Sequence, residues 1–209
     1  MYIPAHFAVD DAAARDLLAR AGAAHLVTAT ERGLVATRLP YVWAPEVGAH
    51  GALQAHVART NDQWRLPPLG EAMAIVHGPD AYVTPSWYAA KAEHGRVVPT
   101  WNYVTAHVYG RLVVHDDAGW LDDHVRRLTE RFESGRADAW AVDDAPPAFV
   151  AGQLRAVVGL ELVVSRVEAK AKVSQNRSTA DRAGVAAGFE AAGDAAMAAA
   201  VRSAPGRDR

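Results

Sequence analysis

One long run of alternating side chains, residues 101–115, constrains the fold of this chain more than any other feature. Successive side chains of a strand point to opposite faces, so a run of this length separates into two rows. One row carries Val104, Ala106, Val108, Gly110, Leu112 and Val114, and the other carries Trp101, Tyr103, Thr105, His107 and Tyr109. The sequence therefore predicts a long strand with one dry side facing a core and one large, aromatic and partly polar side.

Most of the other strand patterns lie ahead of this run. They cover residues 25–30, 34–43, 53–58, 72–77 and 81–84, with a last pattern at 157–173. Residues 31–33 predict a hairpin turn between the first two strands. Pro40 predicts an edge or a bulge in the second strand, and Gly78-Pro79-Asp80 predicts a turn of the chain.

Helical patterns lie on either side of the strand-rich part. The first predicted helix runs from Asp10 or Asp11 to Gly22, and the second carries the apolar stripe Leu121, Val125, Leu128 and Phe132. Pro146 and Pro147 open a third helix, and Ser178 or Thr179 caps an Ala-rich terminal helix. This order predicts an α+β fold in which about six antiparallel strands form a small barrel with flanking helices. One domain is expected over residues 1–203, with a frayed tail at 204–209.

Charge and composition exclude several classes of function. The 22 basic and 24 acidic residues leave a net charge of −2, which removes the simplest electrostatic case for binding duplex DNA. The absence of cysteine excludes disulfides, thiolate metal sites and cysteine nucleophiles. The nine histidines form no close pair at metal-ligand spacing, so no metal site is expected.

Several familiar motifs are missing from the sequence. There is no G-x-G-x-x-G after a strand, no P-loop and no G-x-S-x-G elbow, so no catalytic residue can be named from a motif. The first residues lack the basic and apolar regions of a signal peptide, and the most apolar late stretch is interrupted by Glu190 and Asp194. We therefore expect a cytoplasmic protein without membrane contact.

Four short segments concentrate polar and aromatic side chains. They contribute Thr37 and Arg38; His56, Arg59 and Asn61; Trp87, Lys91, Thr100, Trp101 and Asn102; and Lys172, Gln175 and Asn176. Taken singly, every one of these residues except Asn102 and Asn176 has an ordinary structural role as its simpler interpretation.

Taken together, the four segments indicate a single ligand with an anionic end and a flat end. Arg59 and Asn61 suit a phosphate, because the planar guanidinium binds phosphate oxygens in pairs. Tryptophan rings could flank a flat heteroaromatic ring, and Asn102, Gln175 and Asn176 offer the mixed donors and acceptors that an imide edge requires. FMN meets all three demands and needs no Rossmann fold.

The same segments carry a resemblance to a known family. The matching stretches are MYIPAHF (1–7), GLVATRLPY (33–41), HVARTNDQW (56–64), GPDAYVTPSWY (78–88), KAEHGRVVPTWNYVTAHVYG (91–110) and SQNRSTADRAGVAAG (174–188). In these stretches the chain resembles the PaiB family of FMN-binding negative transcriptional regulators, within the wider FMN-binding split-barrel group. The resemblance covers nearly the whole chain apart from about the last twenty residues.

The resemblance implies a six-stranded split barrel that forms a homodimer with FMN at the subunit interface. It places the phosphate near Arg59 and Asn61, and the walls of the flavin site at the strand of Thr37 and at the segment 100–102. Lys91 and the pair 175–176 would approach from the same chain or from the partner.

Two residues depart from the pattern that the resemblance leads us to expect. Arg38 stands where a histidine is expected, and Ala171 stands where a bulky aromatic is expected between two lysines. An extra cation near the flavin would stabilise a reduced, anionic ring, and a missing aromatic would open space beside it.

Three functions are compatible with these features. The first is an FMN-binding regulator that acts without a helix in the DNA groove, because no basic recognition helix is visible. The second is an FMN-dependent oxidoreductase for a small molecule, of the flavin reductase or pyridoxamine phosphate oxidase type, in which FMN supplies the redox chemistry. The third is a haem-binding split barrel, which the histidines allow without making it specific.

Overall fold

The computed structural model describes residues 1–205, which separate into two compact units. The terminal unit comprises Met1–Leu17, His77–Ala106 and the described residues from Glu168 onward. The barrel unit comprises Leu18–Val76 and His107–Val167. The last four residues of the predicted frayed tail, 206–209, lie outside the described residues.

Six strands form one closed sheet. They are β1 (Ala23–Thr30), β2 (Gly33–Ala44), β3 (Ala52–Ala58), β4 (Ala72–Val83), β5 (Thr100–His115) and β6 (Val157–Lys172). The strand order around the barrel is β1-β2-β3-β6-β5-β4, and the pairs β1–β2, β1–β4, β2–β3 and β3–β6 are antiparallel. The predicted α+β fold with six antiparallel strands is thereby confirmed.

Pro40 lies where β2 changes its partner. Pairing with β1 runs from Gly33 to Pro40, and pairing with β3 begins at Tyr41. A proline lacks the N–H that a central strand needs for a ladder hydrogen bond, so it is tolerated where one ladder ends and the next begins. This position reconciles the proline with a strand that has neighbours on both sides.

The predicted turn at Gly78-Pro79-Asp80 is wrong, because β4 continues through these residues to Val83. Pairing of β4 with β1 covers residues 73–76 and ends at Val76. The missing N–H of Pro79 therefore interrupts no hydrogen bond to β1. A Gly-Pro-Asp sequence turns a chain only where nothing else holds it extended.

Six α-helices complete the described residues. They are α1 (Asp11–Arg20), α2 (Ala90–His94), α3 (Ala118–Glu133), α4 (Pro147–Arg155), α5 (Thr179–Ala191) and α6 (Ala195–Ser203). The single terminal helix that the alanines predicted is in fact two helices. Gly193 has a φ of 82°, which ends α5, and the Asp194 side chain accepts a hydrogen bond from Met197 N at 2.9 Å, which starts α6.

The interior of the barrel unit is apolar. Its small cavity is lined by Ala24, Leu26, Leu39, Tyr41, Leu53, Ala55, Ala74, Leu112, Leu160 and Leu162. The Tyr41 hydroxyl, the one polar side-chain group among them, donates to the carbonyl of Leu18 at 2.7 Å. With that hydroxyl engaged, the cavity offers no group to orient a charged ligand.

The terminal unit has its own core. It is formed by Val83, Tyr88, Val173, Val185, Ala186, Phe189, Met197, Ala198 and Val201. These residues come from β4, the segment after it, the first residue after β6 and the two last helices, so the core fixes the loop that joins β6 to α5. No helix among residues 1–205 is long and apolar enough to span a membrane.

Candidate functional site

Arg59 lies in the barrel unit, where internal partners hold its guanidinium. Its Nε donates to the carbonyl of Arg155 at 2.7 Å, and its Nη2 donates to the carbonyl of Val157 at 3.0 Å. Both terminal nitrogens also contact the Asp116 carboxylate, and hydrogen bonding from Arg59 lowers the pKa of that carboxyl. A phosphate bound by Arg59 would have to compete with Asp116, so the assignment of Arg59 to a phosphate stays a prediction.

Thr37 and Asn61, predicted separately, lie together in the barrel unit. The Asn61 amide donates to Thr37 Oγ1 at 3.1 Å, while its carbonyl accepts from Gln63 N at 2.9 Å. Asn61 thereby caps the short 3-10 helix Asp62–Arg65. Arg38 is exposed on β2, directly opposite His25 in the register with β1.

His56 belongs to a polar cluster that the sequence did not reveal. Its Nδ1 lies 3.1 Å from Nε2 of His124, which is fully buried on α3. The Trp120 ring stacks on His124 and, at a centroid distance of 4.2 Å, on His115. His115 Nε2 in turn lies 3.2 Å from Oε2 of Glu161. The two paired histidines are 68 residues apart in the sequence, and no spacing motif could have joined them.

Burial keeps this histidine pair neutral. It lowers the pKa of His56, and it lowers the pKa of His124 to about 3, with smaller contributions from the positive charges of His56 and Arg127. Two neutral imidazoles can share one N–H, so a single hydrogen bond joins them. Among residues 1–205, no group of three or more His, Asp or Glu side chains is arranged to hold a metal ion.

In the terminal unit, four of the predicted cofactor residues converge on one cavity. The cavity is small, with a volume of about 30 Å³, and is lined by Thr100, Asn102, Lys172, Ser174, Asn176 and Arg177. Every lining side chain is polar, two are cationic, and none is acidic. Ser174 and Arg177 are lining residues that our sequence-based site did not include, although both stand in the SQNRS stretch.

Lys172 sits at the end of β6, on the wall of the cavity. Its Nζ donates to Thr100 Oγ1 at 2.5 Å and to the carbonyl of Trp101. Burial lowers the pKa of Lys172, and the neighbouring charges of Lys170 and Arg177 lower it further. The ammonium group is therefore held in place beside β5 in an environment that already carries excess positive charge.

The loop after β6 is shaped by side-chain hydrogen bonds. Buried Asn102 donates to Ser174 Oγ at 3.0 Å, and Ser174 has a φ of 69°, which is uncommon for a residue other than glycine. Gln175 accepts from Val173 N at 2.8 Å and donates to the carbonyl of Ala171 at 2.6 Å. Gln175 thus holds the loop and does not line the cavity.

The three remaining predicted residues of the terminal unit have different surroundings. Trp101 is 49% exposed, and its Nε1 donates to Asp80 at 3.0 Å. The Trp87 ring packs edge-on against Phe189 at a centroid distance of 4.8 Å, and Lys91 donates to Ser86 Oγ at 3.0 Å. Of the three, Trp101 has the most exposed ring, and none of the three lines the cavity.

Solved structures share this barrel. The flavocytochrome Anf3 from Azotobacter vinelandii superposes with a TM-score of 0.58 at 14% identity, over 78% of this chain and 67% of that chain. The conserved hypothetical protein Rv2991 from Mycobacterium tuberculosis superposes with a TM-score of 0.55 at 12% identity, over 82% of this chain and 91% of that chain. The fold is the split barrel of flavin-binding proteins.

The sequence comparisons identify the family. Residues 1–166 match the family described as "Putative FMN-binding domain". Over 185 residues the chain is 30% identical to the protease synthase and sporulation protein PAI 2 of Bacillus subtilis (strain 168), covering 87% of this chain and 85% of that protein. The chain belongs to the PaiB family of FMN-binding proteins, as its motifs indicated, and FMN is the cofactor of this family.

The cavity in the terminal unit suits one end of FMN. Pockets that enclose a small molecule usually measure roughly 300–1,000 Å³, and this cavity, with a volume of about 30 Å³, is far smaller. Its two cations, two hydroxyls and two amides match the phosphate and hydroxyl groups of the cofactor better than its ring. The donor set therefore fits FMN, with part of the molecule held outside this cavity.

Proposed function

We propose that this protein is an FMN-binding regulator of the PaiB type, in which FMN is held through the cavity of the terminal unit. The observation that carries the proposal is the convergence of Thr100, Asn102, Lys172 and Asn176 on one cavity. These residues come from two segments that are more than 60 positions apart in the chain. The sequence pattern by itself predicts all four as cofactor residues.

The chain's own residues would bind and orient the cofactor, which supplies electron transfer when bound. Lys172 and Arg177 offset negative charge, and the amide of Asn176 can donate to or accept from a polar edge. The half-exposed ring of Trp101 offers a flat surface for stacking, because its Nε1 is already bonded to Asp80. None of these tasks requires a nucleophile or a catalytic motif.

The regulatory role that we propose does not use a helix in the DNA groove. The arginines of α3 are engaged within the barrel unit: Arg126 pairs with Asp122 and Asp143, and Arg127 pairs with Asp123. Arg131 donates to the backbone carbonyls of Ala19, Ala21 and Tyr41. Helices that read DNA need free cations for the phosphates, so an effect on transcription would be indirect.

We further propose that a second copy of the chain completes the flavin site, as the family resemblance implied. The cavity is too small for the whole cofactor, and the aromatic pair Tyr82 and Trp101 is about half exposed, with ring centroids 6.3 Å apart. An exposed aromatic pair is typical of surfaces that a partner or a ligand covers. The expected assembly is a homodimer, which light scattering with and without FMN would detect.

The FMN assignment is tested by titrating FMN into the purified protein and following the flavin fluorescence. We expect a yellow complex, with binding weakened up to about tenfold in Asn176→Ala, since one hydrogen bond is worth about 1 kcal/mol. Gln153→Ala, which removes an exposed amide from α4, is the matched control. Flavin fluorescence that does not change with protein concentration, together with a protein that is colourless after free FMN is removed, would refute the proposal.

Two further measurements separate regulation from catalysis. Steady turnover of NADH or NADPH with the FMN complex would assign the protein to the oxidoreductases instead. A sequence-specific complex with duplex DNA at physiological salt would contradict the indirect mode of regulation. The regulator proposal expects neither result.

A further inference from the structure

We propose that the first half of α3, residues 118–126, is an acid-sensitive switch segment. At neutral pH the contact between His124 and His56 holds the segment against the barrel, and uptake of protons by these two imidazoles releases it. The second half of the helix stays attached. Neither histidine lines the cavity of the terminal unit, so the inference stands apart from the proposed function.

The switch segment lies close against the outer side of the sheet. Trp120 approaches β6 so closely that a Cβ at Gly159 would lie 2.2 Å from its ring. Leu121 and His124, which lie on one face of the helix, are the buried side chains of α3. His56 is opposite Gly159 in the register of β3 and β6, so His124 meets His56 beside the Trp120 contact. One of the two side chains that the segment buries is therefore ionisable.

Protonation disrupts the hydrogen bond between the two imidazoles. In the neutral pair, His56 Nδ1 and His124 Nε2 share one N–H across 3.1 Å. A protonated His124 carries an N–H on both nitrogens, and its buried Nδ1 has no hydrogen-bond partner among residues 1–205. With both imidazoles protonated, two N–H groups face each other and the bond is lost. A buried donor without an acceptor destabilises the docked segment.

The surrounding charges do not compensate a protonated pair. The charges that act on His124 come from His56 and Arg127, and both are positive. Glu161, a buried carboxylate on the neighbouring strand, already accepts from Gln54 at 2.6 Å and lies 3.2 Å from His115 Nε2. The other ionisable side chains on the elements around the pair are Arg59, Arg111, Asp116, Asp117, Asp122, Asp123, Arg126 and Arg155.

The aspartates of this set have partners of their own. Asp122 and Asp123 pair with Arg126 and Arg127 along α3. Asp117 accepts a hydrogen bond from Trp120 N at 2.8 Å and thereby caps the helix. These carboxylates are committed to the start and the outer face of α3, so they support the helix without stabilising a charge on the buried pair.

Both ends of the switch segment are anchored by contacts that resist weak acid. Ahead of it, Asp116 pairs with Arg59, and hydrogen bonding from Arg59 lowers the pKa of the Asp116 carboxyl. Behind it, Arg131 donates to three backbone carbonyls, and an arginine keeps its charge throughout this range. Residues 118–126 can therefore open as a loop while the rest of α3 remains tethered.

Acid favours the open form. In the docked segment burial lowers the pKa of His56 and lowers the pKa of His124 to about 3, whereas a solvated imidazole titrates near its ordinary pKa of 6.5. Below pH 6.5 the open form therefore binds more protons than the docked form. Each histidine then raises the equilibrium constant for opening by up to about tenfold per pH unit, until the docked imidazole titrates as well.

Hydrogen–deuterium exchange of the full-length protein, followed by mass spectrometry of its peptides, tests the switch. Protection factors corrected for intrinsic exchange measure the opening equilibrium of each segment. We expect residues 118–126 to be less protected than β3 and than residues 127–133 at every pH. Between pH 6.5 and pH 4.5 their protection should fall roughly 10- to 100-fold, because opening gains up to about tenfold per pH unit from His124.

Urea separates release of the segment from unfolding of the whole barrel. Opening two helical turns exposes little surface, so the protection of residues 118–126 should depend weakly on low urea concentrations, whereas that of β3 should depend strongly. Equal protection and equal urea dependence in the two places would mean that the segment opens only when the barrel unfolds. That result would overturn the inference.

Glutamine variants identify the responsible groups. His124→Gln keeps a polar side chain without a titrating one, so it should remove most of the acid effect on residues 118–126, and His56→Gln should reduce it. His50→Gln removes an exposed histidine and should behave like the wild type. Should His124→Gln fail to fold, His56→Gln decides alone, because its side chain is only partly buried. An acid effect that persists undiminished in the folded variants would refute the role of the pair.

Discussion

Replacing Gly184 by alanine should destabilise the protein by about 3 kcal/mol, as overpacking of a tight contact does. A Cβ at position 184 of α5 would lie 2.1 Å from the carbonyl oxygen of Trp87. Because the obstacle is a backbone atom of the packed terminal unit, no rotamer change can relieve the clash. The midpoint of urea unfolding would measure the loss.

Gly152→Ala in α4 is the matched control, with the opposite expected sign. The nearest heavy atom to a new Cβ at that position is Nη2 of Arg155 at 3.9 Å, which is ordinary contact. Alanine should therefore stabilise α4 by up to about 1 kcal/mol through its helix propensity alone. Equal effects of the two substitutions would contradict the close approach of Trp87 to α5.

A third alanine tests the position of the Trp87 ring, which the sequence assigned to the flavin site. A Cβ at Gly188 would lie 2.3 Å from that ring, a side-chain obstacle that can shift. We therefore expect Gly188→Ala to cost less than Gly184→Ala. Altered FMN affinity in a folded Gly188→Ala protein would indicate that the ring also matters for the cofactor.

Acid should weaken the fold over the range from pH 6.5 down to about pH 3. In the unfolded chain His124 titrates near its ordinary pKa of 6.5, whereas in the folded protein burial lowers the pKa of His124 to about 3. Between these values the unfolded state binds more protons, so the free energy of unfolding falls as the pH falls, by up to about 1.4 kcal/mol per pH unit. The lowered pKa of His56 acts in the same direction.

His124→Gln should flatten this pH dependence, because glutamine can keep a donor near His56 without titrating. Urea unfolding at several pH values between 7 and 4 measures the slope for the wild type and the variant. His50→Gln removes an exposed histidine and is the control, with a slope expected to match the wild type. If the free energy of unfolding of His124→Gln changed with pH as steeply as that of the wild type, the buried histidine pair would not govern acid stability.

Much of the fold follows from local patterns. The alternation predicted at 101–115 holds over the first part of β5, where Asn102, Ala106, Val108 and Gly110 are buried on one side, whereas Val114 of the same row is exposed and Thr105 of the other row is buried. A strand's periodicity depends only on its own backbone, so the sequence displays it directly. The predicted turn at residues 78–80 is wrong, because β4 runs without interruption from Ala72 to Val83.

The terminal helices show the same limit on a smaller scale. Alanine content predicted a helix over the whole segment, but the backbone at Gly193 and the cap at Asp194 divide it. Helix propensity differs little among most residues, so a glycine with a following cap outweighs it.

The sequence by itself determined most of the strands, the family and the residue types that an FMN site requires. Tertiary structure alone decided which of the candidate cations remain available. Arg59 meets Asp116, 57 positions away, and loses its free charge, while Lys172 and Arg177 line a cavity without a carboxylate. Coulomb energy depends on the distance between charges and not on their separation along the chain. The net charge of −2 and the positions of the basic residues along the sequence therefore do not show where an anion binds. The folded structure is needed to show which cations have no carboxylate beside them.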